Sequence, residues 1–194
     1  MRVGVLALQG DVREHSTTLR ALGAEPVTVR RAEHLEDLAG VILPGGESTA
    51  IAHLLATSGL REPLAKAIES GLPVFGTCAG LILLSRRVLD GRADQWSYAA
   101  LDVEVRRNGY GRQVASFETT LSVEGLGEVP GVFIRAPKIE SWGESVEVLA
   151  THDHGDGAFP VLVRQGSVWG CAFHPELTSD TRVHELFVSS VADR

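Results

Sequence analysis

The sequence predicts an α/β fold, a three-layer sandwich built on a mostly parallel, doubly wound sheet with an antiparallel extension. Two observations support this prediction. In the first half of the chain, short apolar segments alternate with helical segments and glycine turns, which is the pattern of parallel βαβ units. In the second half, extended segments follow one another with turn signals between them, which favours antiparallel strands.

The first half supplies the parallel strands and their helices. Asp11 and Glu14 have the spacing of a capping box, so they predict a helix after the first strand, and Gly23 ends that helix. A wholly apolar segment such as residues 40–43 is typical of a buried parallel strand. The predicted strands are residues 2–9, 26–30, 40–43 and 72–75, and the predicted helices are residues 12–22, 50–58, 81–89 and a segment with Pro63 in its first turn that ends near Gly71.

The second half supplies the extension and a last helix. Turn signals at Asn108-Gly109 and at residues 155–157 separate several extended segments. Apolar residues at helical spacing predict a final helix over residues 180–191. No linker divides the chain, so we expect residues 1–194 to form a single domain. The predicted strands of this half are residues 101–106, 113–123, 132–136, 146–151, 160–164 and 167–173.

Composition and charge argue against several classes of protein. The 194 residues are 44% hydrophobic and 22% charged, which is typical of a globular protein. A net charge of −7, without a local Lys/Arg cluster, argues against a nucleic-acid partner. We see no signal segment and no apolar run of the roughly 18 residues that a membrane span needs, so we expect a cytoplasmic protein with no membrane contact. Two cysteines do not form the disulfide framework of a secreted protein.

The most informative segment is Gly76-Thr77-Cys78-Ala79-Gly80, which lies between an apolar strand and a predicted helix. Small residues on both sides of a nucleophile allow the sharp strand-to-helix turn of a nucleophile elbow. Cys78 would then lie at the N-terminus of the helix, where the dipole and the unpaired N–H groups favour the nucleophilic thiolate. The alternative is an inert buried cysteine, which is the commoner role of a lone cysteine.

His174 and Glu176 favour the catalytic interpretation, because a base and an orienting carboxylate then accompany the thiol. Their two-residue separation on a strand would place both side chains on one face. Cys78 and His174 are far apart in sequence, so only the fold can bring them together. The other cysteine, Cys171, is part of the alternating pattern of a predicted strand and is interpreted as a core residue. The sequence thus predicts a thiol enzyme that acts on an acyl group.

Glycine turns at Gln9-Gly10 and Gly45-Gly46 are expected at the nucleophile's edge of the sheet, because ligands collect at the carboxyl ends of parallel strands. The backbone N–H groups of Gly46 and Ala79 are candidates to hold an oxyanion. The alternative is that Gly45-Gly46 only turns a strand into a helix. The turn is not a phosphate loop, because the lysine of that motif is absent.

Several other polar residues could have a function, but each can also be explained by a structural role. His152-Asp153-His154 resembles a metal site in composition, but no third and fourth ligand stands at a suitable spacing, so it is interpreted as a solvated loop. Ser48 at a helix start is more typical of a cap than of a nucleophile. The candidates to bind a substrate carboxylate are Arg107, Arg112 and Arg135.

Taken together, these residues resemble the class I, triad-type glutamine amidotransferases, and among them the glutaminase subunits of pyridoxal 5′-phosphate synthases. The elbow and the His-Pro-Glu element are shared by the whole superfamily. The Gly-Gly-Glu-Ser turn, the Arg-Asn…Gly-Arg-Gln stretch and the Ile-Arg pair are specific to this subunit. Gly109 departs from the family pattern, in which a somewhat larger small residue is common. The matching segments are residues 3–11, 43–49, 76–80, 107–113, 133–137 and 173–178.

The resemblance implies a set of site residues. Cys78 is then the nucleophile, with His174 and Glu176 as its partners. The backbone N–H groups of Gly46 and Ala79 are the oxyanion donors, and no metal or other cofactor is implied. The implied glutamine-binding residues are Gly46, Glu47, Ser48, Arg107, Ile134 and Arg135.

The implied reaction is hydrolysis of L-glutamine to L-glutamate and ammonia through a cysteine thioester. Ammonia then passes through a tunnel to a (β/α)₈-barrel synthase subunit, in a large heteromeric complex that builds pyridoxal 5′-phosphate, the vitamin B6 cofactor. Partner binding is expected to organise the turn near Gly46, so the chain alone should be a poor glutaminase. Two alternatives remain: an amidotransferase subunit of another pathway, such as histidine or anthranilate synthesis, and a non-catalytic regulator on the same fold.

Overall fold

Strands and helices alternate in the first half of the chain, and strands dominate the second half. The computed structural model describes residues 1–92, 95–109, 116–155 and 157–192. Its α-helices are α1 (Val12–Ala21), α2 (Ser48–Thr57), α3 (Arg61–Glu69), α4 (Ala79–Leu84) and α5 (Arg182–Ala192), and 3₁₀ turns lie at Ala32–Leu35 and Pro175–Leu177. Its strands are β1 (Arg2–Leu6), β2 (Glu25–Val29), β3 (Gly40–Leu43), β4 (Val74–Thr77), β5 (Ser85–Val88), β6 (Leu101–Arg106), β7 (Ser116–Val123), β8 (Gly127–Ile134), β9 (Lys138–Trp142), β10 (Glu147–Asp153), β11 (Ala158–Gln165) and β12 (Val168–Cys171).

Within the part of the chain that the structure describes, a seven-stranded sheet has the strand order β10-β11-β12-β4-β3-β1-β2. The strands from β12 to β2 in that order run parallel, and β11 and β10 add the antiparallel extension at one edge. β3, β4 and β12 are buried along their whole length, as central parallel strands are. This sheet confirms the predicted fold class.

The order of the central strands decides where the candidate site lies. The neighbouring strands β12, β4, β3 and β1 are parallel, so the segments that follow them leave the same edge of the sheet. Those segments carry His174, Cys78, Gly46 and Asp11 respectively. Residues from distant parts of the chain therefore meet at one edge.

Two smaller groups of strands pack beside the central sheet. β5 pairs in parallel with β6, which pairs antiparallel with β9, and β7 pairs antiparallel with β8. The predicted strand over residues 113–123 is described from Ser116 onward. Its first three residues and Arg112 lie outside the described residues.

Aromatic side chains fill the centre of the interior. Phe75 and Phe187 are fully buried with ring centroids 5.5 Å apart, so α5 packs against β4. Phe133 and Phe173, also buried, join β8 to the segment after β12 at 5.7 Å. Among the described residues, no helix has the length and apolarity that a membrane crossing requires.

The predicted helix over residues 81–89 is wrong in its second half. α4 ends before Ser85, whose Oγ donates to the Ile82 carbonyl at 2.8 Å. The chain then continues as β5, in which Arg86 pairs with Glu104 of β6. Pairing with a strand that is distant in sequence overrides the local helical preference.

Two predictions near the site are also wrong. His174 and Glu176 do not lie on a strand, because β12 ends at Cys171 and Pro175 begins a 3₁₀ turn. Proline has no N–H with which to extend the sheet. Asp11 lies at the N-cap of α1 but makes no side-chain capping hydrogen bond. The strand β9 was not predicted.

Candidate active site

Cys78 occupies a strained turn between β4 and α4. Its backbone has φ 49° and ψ −101°, a combination that residues other than glycine rarely adopt. The Cys78 N–H donates to the Cys171 carbonyl at 2.9 Å, which ties the turn to β12. A Cβ on Gly80 would collide with the backbone of Leu43, so glycine is required just after the turn. This local structure is that of a nucleophile elbow.

His174 connects the thiol to a buried carboxylate. The His174 side chain lies close enough to the Cys78 side chain for their interaction to raise the pKa of His174. Its Nδ1 lies 2.7 Å from Glu176 Oε1. The side chain of Glu176 is fully buried and that of His174 is 6% exposed. The structure thus brings the three residues of the predicted triad together.

The groups around His174 favour its protonated form. Burial by itself lowers the pKa of His174, but interactions with Asp11, Cys78 and Glu176 outweigh burial and raise that pKa well above its usual value. Burial raises the pKa of Glu176, and the hydrogen bond to His174 opposes that rise. A protonated His174 holds a proton that it can give to a leaving group.

Asp11 belongs to the site, whereas the sequence predicted only a helix cap there. Asp11 Oδ2 lies 3.4 Å from His174 Nδ1, the same nitrogen that contacts Glu176. The Asp11 side chain is 34% exposed, so it is the solvent-facing member of this group. Residues 11 and 174 meet only because β1 and β12 end at the same edge of the sheet, and no local sequence signal records that meeting.

The Asp11→Asn variant is expected to lower the pKa of His174, because it removes an anion that stabilises the imidazolium. An NMR titration of the His174 ring should show a midpoint that is lower by about one pH unit. Asp37→Asn, at an exposed aspartate before β3, is the control and should leave the midpoint unchanged. An unchanged midpoint in Asp11→Asn would show that Asp11 does not act on His174.

A cleft of about 110 Å³ opens beside Cys78. All six residues that the resemblance implies for glutamine binding line it, as do Ile82 and Asn108, which were not predicted to bind a substrate. Ile82 lies one helical turn after Cys78, so helix periodicity could have identified it, and Asn108 directly follows Arg107. The lining residues are Gly46, Glu47, Ser48, Cys78, Ile82, Arg107, Asn108, Ile134 and Arg135.

The cleft contains charged groups of both signs. Arg107 Nη2 lies 3.0 Å from Glu47 Oε1, and Arg135 provides a second guanidinium. The Ile134 carbonyl lies 4.0 Å from Cys78 Sγ. A ligand that carries both a carboxylate and an ammonium group, as a free amino acid does, matches these charges.

The turn after β3 is held by a side chain from a neighbouring strand end. The Glu47 N–H donates to Gln9 Oε1 at 2.8 Å. Gly46 has φ 149°, and a Cβ on it would collide with the Gln9 side chain. Gly46 lines the cleft, and Ala79 begins α4 directly after Cys78. Both predicted oxyanion donors therefore lie next to the thiol, and their role stays a prediction.

The chain matches a known family over nearly its whole length. A family model described as the SNO glutamine amidotransferase family matches residues 5–193. The chain belongs to this family.

Relatives of this SNO-family chain carry a consistent name. The protein named pyridoxal 5′-phosphate synthase subunit PdxT from Frankia alni is 56% identical over 98% of this chain and 94% of its own length. The protein of the same name from Corynebacterium jeikeium is 54% identical over 100% of this chain and 98% of its own length.

Solved structures share the fold of the family. A crystal structure of a glutamine amidotransferase is 51% identical in sequence, with a TM-score of 0.91 over 98% of both chains. A putative GMP synthase subunit from Thermoplasma acidophilum, 18% identical, superposes with a TM-score of 0.72 over 100% of this chain and 94% of that chain, and shows the fold alone.

The histidine-rich segment of this SNO-family chain differs from its interpretation as a solvated loop. His152 lies in β10, and its ring stacks on that of Phe117 with centroids 5.6 Å apart. Asp153 Oδ1 accepts the Gly155 N–H at 2.7 Å, which stabilises the turn after the strand. The segment is therefore the end of a strand and a turn with partly packed rings.

Ser48 and Cys171 occupy the remaining positions that the sequence singled out. The N-cap of α2 is Glu47, not Ser48, and Ser48 lines the cleft. Cys171 is fully buried, its Sγ donates to the Phe173 carbonyl at 3.2 Å, and burial raises the pKa of its thiol. Cys171 therefore has the environment of an unreactive core residue.

Proposed function

We propose that this chain is a glutaminase that hydrolyses L-glutamine to L-glutamate and ammonia, and that a partner subunit uses the ammonia to make pyridoxal 5′-phosphate. The observation that carries the proposal is the placement of Cys78 near the His174–Glu176 pair, on a strained elbow beside a cleft that contains Arg107 and Glu47. In this proposal residues 1–194 act as one glutaminase domain.

The charged groups of the cleft select an amino acid. The guanidinium of Arg107 donates hydrogen bonds to the α-carboxylate of glutamine, and the carboxylate of Glu47 accepts hydrogen bonds from the α-ammonium group. Substrate binding then replaces the direct Arg107–Glu47 contact of 3.0 Å with contacts to the ligand. With its α-substituents held there, the side-chain amide of glutamine reaches toward Cys78.

The chemistry proceeds through a thioester. The Cys78 thiolate attacks the amide carbon, and the backbone N–H groups of Gly46 and Ala79 stabilise the oxyanion. As the C–N bond breaks, protonated His174 gives its proton to the leaving ammonia. Neutral His174 then takes a proton from water while the oxygen attacks the thioester. The C–S bond breaks, which releases L-glutamate and restores the thiolate beside protonated His174.

The partner is a synthase subunit. The curated relatives are named as subunits of pyridoxal 5′-phosphate synthase, which motivates a partner of that kind. Ammonia released into water at neutral pH becomes ammonium and loses its nucleophilicity. A tunnel to a barrel-type synthase subunit, in a large heteromeric complex, would keep the ammonia unprotonated until it reacts. Glutaminase activity that depends on docking would also avoid wasting glutamine.

Release of ammonia from L-glutamine, measured with and without the synthase subunit of the same organism, tests the proposal. Ammonia release is expected with L-glutamine and not with L-asparagine, whose amide falls one methylene short of Cys78. No release from glutamine in the presence of the synthase subunit would contradict the proposed function.

The Gly45-Gly46 turn is proposed to be the element that docking organises. Addition of the synthase subunit is expected to raise turnover at least severalfold, by biasing one of two arrangements of this turn. Gly46→Val should reduce that increase, because valine disfavours φ 149° and its Cβ would collide with Gln9.

The control is Gly71→Val, which also replaces a glycine of positive φ (93°) but has open space around its Cβ. It should leave the response to the synthase subunit intact. Equal turnover of the wild-type chain alone and in the complex would show that the oxyanion site is preformed, and the gating role of the turn would be wrong.

A further inference from the structure

Two buried histidines lie behind the His174–Glu176 pair and take no part in the mechanism described above. His15 on α1 and His184 on α5 have no exposed surface. His15 Nδ1 and His184 Nε2 are 2.9 Å apart. Burial holds the pKa of His15 well below its usual value and lowers that of His184 to about 4, so both rings are neutral near pH 7.

The other ring nitrogen of His15 faces the triad. His15 Nε2 lies 3.2 Å from Thr77 Oγ1 and 3.6 Å from Glu176 Oε2. Glu176 Oε1 already contacts His174, whereas Oε2 is buried and has no hydrogen-bond partner among the described residues. A buried carboxylate oxygen without a donor is costly, and His15 Nε2 is the polar atom in position to become that donor.

The hydrogen-bond network favours one tautomer of His15. A neutral imidazole carries one N–H, so either Nε2 or Nδ1 of His15 is protonated. With the proton on Nε2, this N–H faces Thr77 Oγ1 and Glu176 Oε2, and His15 Nδ1 accepts the His184 Nε2–H. His184 Nδ1 is then a bare buried nitrogen without a partner among the described residues. With the proton on Nδ1, a buried N–H of His184 is left without an acceptor among the described residues, and a lone pair of His15 faces both the Thr77 hydroxyl and the Glu176 carboxylate. A buried N–H without an acceptor is rarer in proteins than a buried acceptor without a donor, so the first arrangement is favoured.

We propose that His15, kept in its Nε2–H tautomer by His184, is a positioning residue that holds the second oxygen of Glu176. The first oxygen of Glu176 then stays on His174 Nδ1, and the opposite nitrogen of His174 stays directed at Cys78. This inference rests on the proposed glutaminase function and adds a fourth side chain to the triad. His15 follows Asp11 by one turn of α1, with its N–H 3.2 Å from the Asp11 carbonyl.

That single turn of α1 therefore contacts both members of the pair: Asp11 lies against His174, and His15 lies against Glu176. The titratable groups that surround Glu176 are Asp11, His15, Cys171 and His174. Loss of a donor to its charged form raises the pKa of a carboxylate. Removal of His15 should thus raise the pKa of Glu176 beyond the rise that burial already causes.

The first test compares His15→Phe, which fills the space without a donor, with His15→Gln, whose amide NH₂ restores one. In the complex with the synthase subunit, His15→Phe should lower kcat for glutamine hydrolysis by about tenfold or more with little change in KM. The acidic limb of the kcat/KM profile should move to higher pH, since Glu176 must be ionised to orient His174. His15→Gln should restore most of the kcat and return the acidic limb most of the way to its wild-type pH. If His15 only filled space, glutamine would restore neither.

The control is His53→Phe, at an exposed histidine on α2, and it should match the wild-type chain. A folded His15→Phe variant with wild-type kcat and an unshifted profile would overturn the proposal. An inactive wild-type complex would instead overturn the proposed glutaminase function.

A second measurement depends neither on activity nor on the folding of a variant. Two-bond ¹H–¹⁵N NMR spectra of the wild-type chain, with the His15 ring assigned, report which nitrogen carries the proton. Protonated Nε2 with bare Nδ1, unchanged near pH 7, is expected. Protonated Nδ1 would place a lone pair against Glu176 and would overturn the positioning role of His15, whatever the kinetics show.

Discussion

Replacement of Cys78 by alanine is expected to reduce ammonia release from glutamine by about four orders of magnitude or more, since the atom that forms the thioester is removed. The strained turn itself should persist, because its φ of 49° is held by the contacts of β4 and α4 and not by the sulfur. Thermal unfolding and binding of the synthase subunit should therefore change little. Retention of a tenth of the activity would show that Cys78 is not the nucleophile.

Cys171→Ala is the matched control, because it removes the same atom from the other cysteine. Cys171 is fully buried on β12, so its loss should lower the free energy of unfolding by about 1 kcal/mol, as the loss of a small buried group does. Its glutaminase turnover per folded molecule should stay close to that of the wild-type chain. A large loss of turnover in Cys171→Ala would require a new assignment of the reactive thiol.

Glu176→Gln is expected to have the second largest effect. Glutamine has nearly the same shape but no charge, so it can accept from His174 Nδ1 without stabilising the imidazolium. We expect kcat to fall by at least about tenfold with a smaller change in KM, because the lost interaction matters most when His174 is protonated. The measurement is steady-state ammonia release in the complex with the synthase subunit.

Glu185→Gln, at an exposed position on α5, is the control for the same change of charge. It should leave kcat unaltered. If Glu176 had only a structural role, Glu176→Gln would lower the temperature of unfolding and leave turnover per folded molecule unchanged, and that result would remove the carboxylate from the mechanism.

The central sheet and the triad could be predicted because their signals are local. β3 and β4 are short apolar segments followed by glycine turns, and a nucleophile between small residues specifies the turn at Cys78. His174 and Glu176 were identified from residue type and spacing, although the 3₁₀ turn at Pro175 replaced the predicted strand face. The positions of these residues could therefore be predicted where a few neighbouring residues determine them, and their catalytic roles stay predictions.

Contacts between distant segments could not be predicted in the same way. Asp11 was predicted as a helix cap because residues 11–14 fit that pattern, yet its carboxylate lies against His174. Gln9 and His15 reach Glu47 and Glu176 only because the ends of parallel strands share an edge. β5 was predicted as a helix because nothing in its own residues records the pairing with β6. In each case a partner that is distant in sequence determined the position of the side chain or the type of secondary structure.

The most direct test of the proposed glutaminase function is to identify the residue that a glutamine-analogue alkylator modifies. The chain, in complex with its synthase subunit, would be treated with a diazoketone analogue of glutamine, digested and mapped by mass spectrometry, with free L-glutamine as competitor. The account predicts one label, on Cys78, that forms in step with the loss of ammonia release and is prevented by L-glutamine. A label on Cys171, or full loss of activity with Cys78 unmodified, would contradict it.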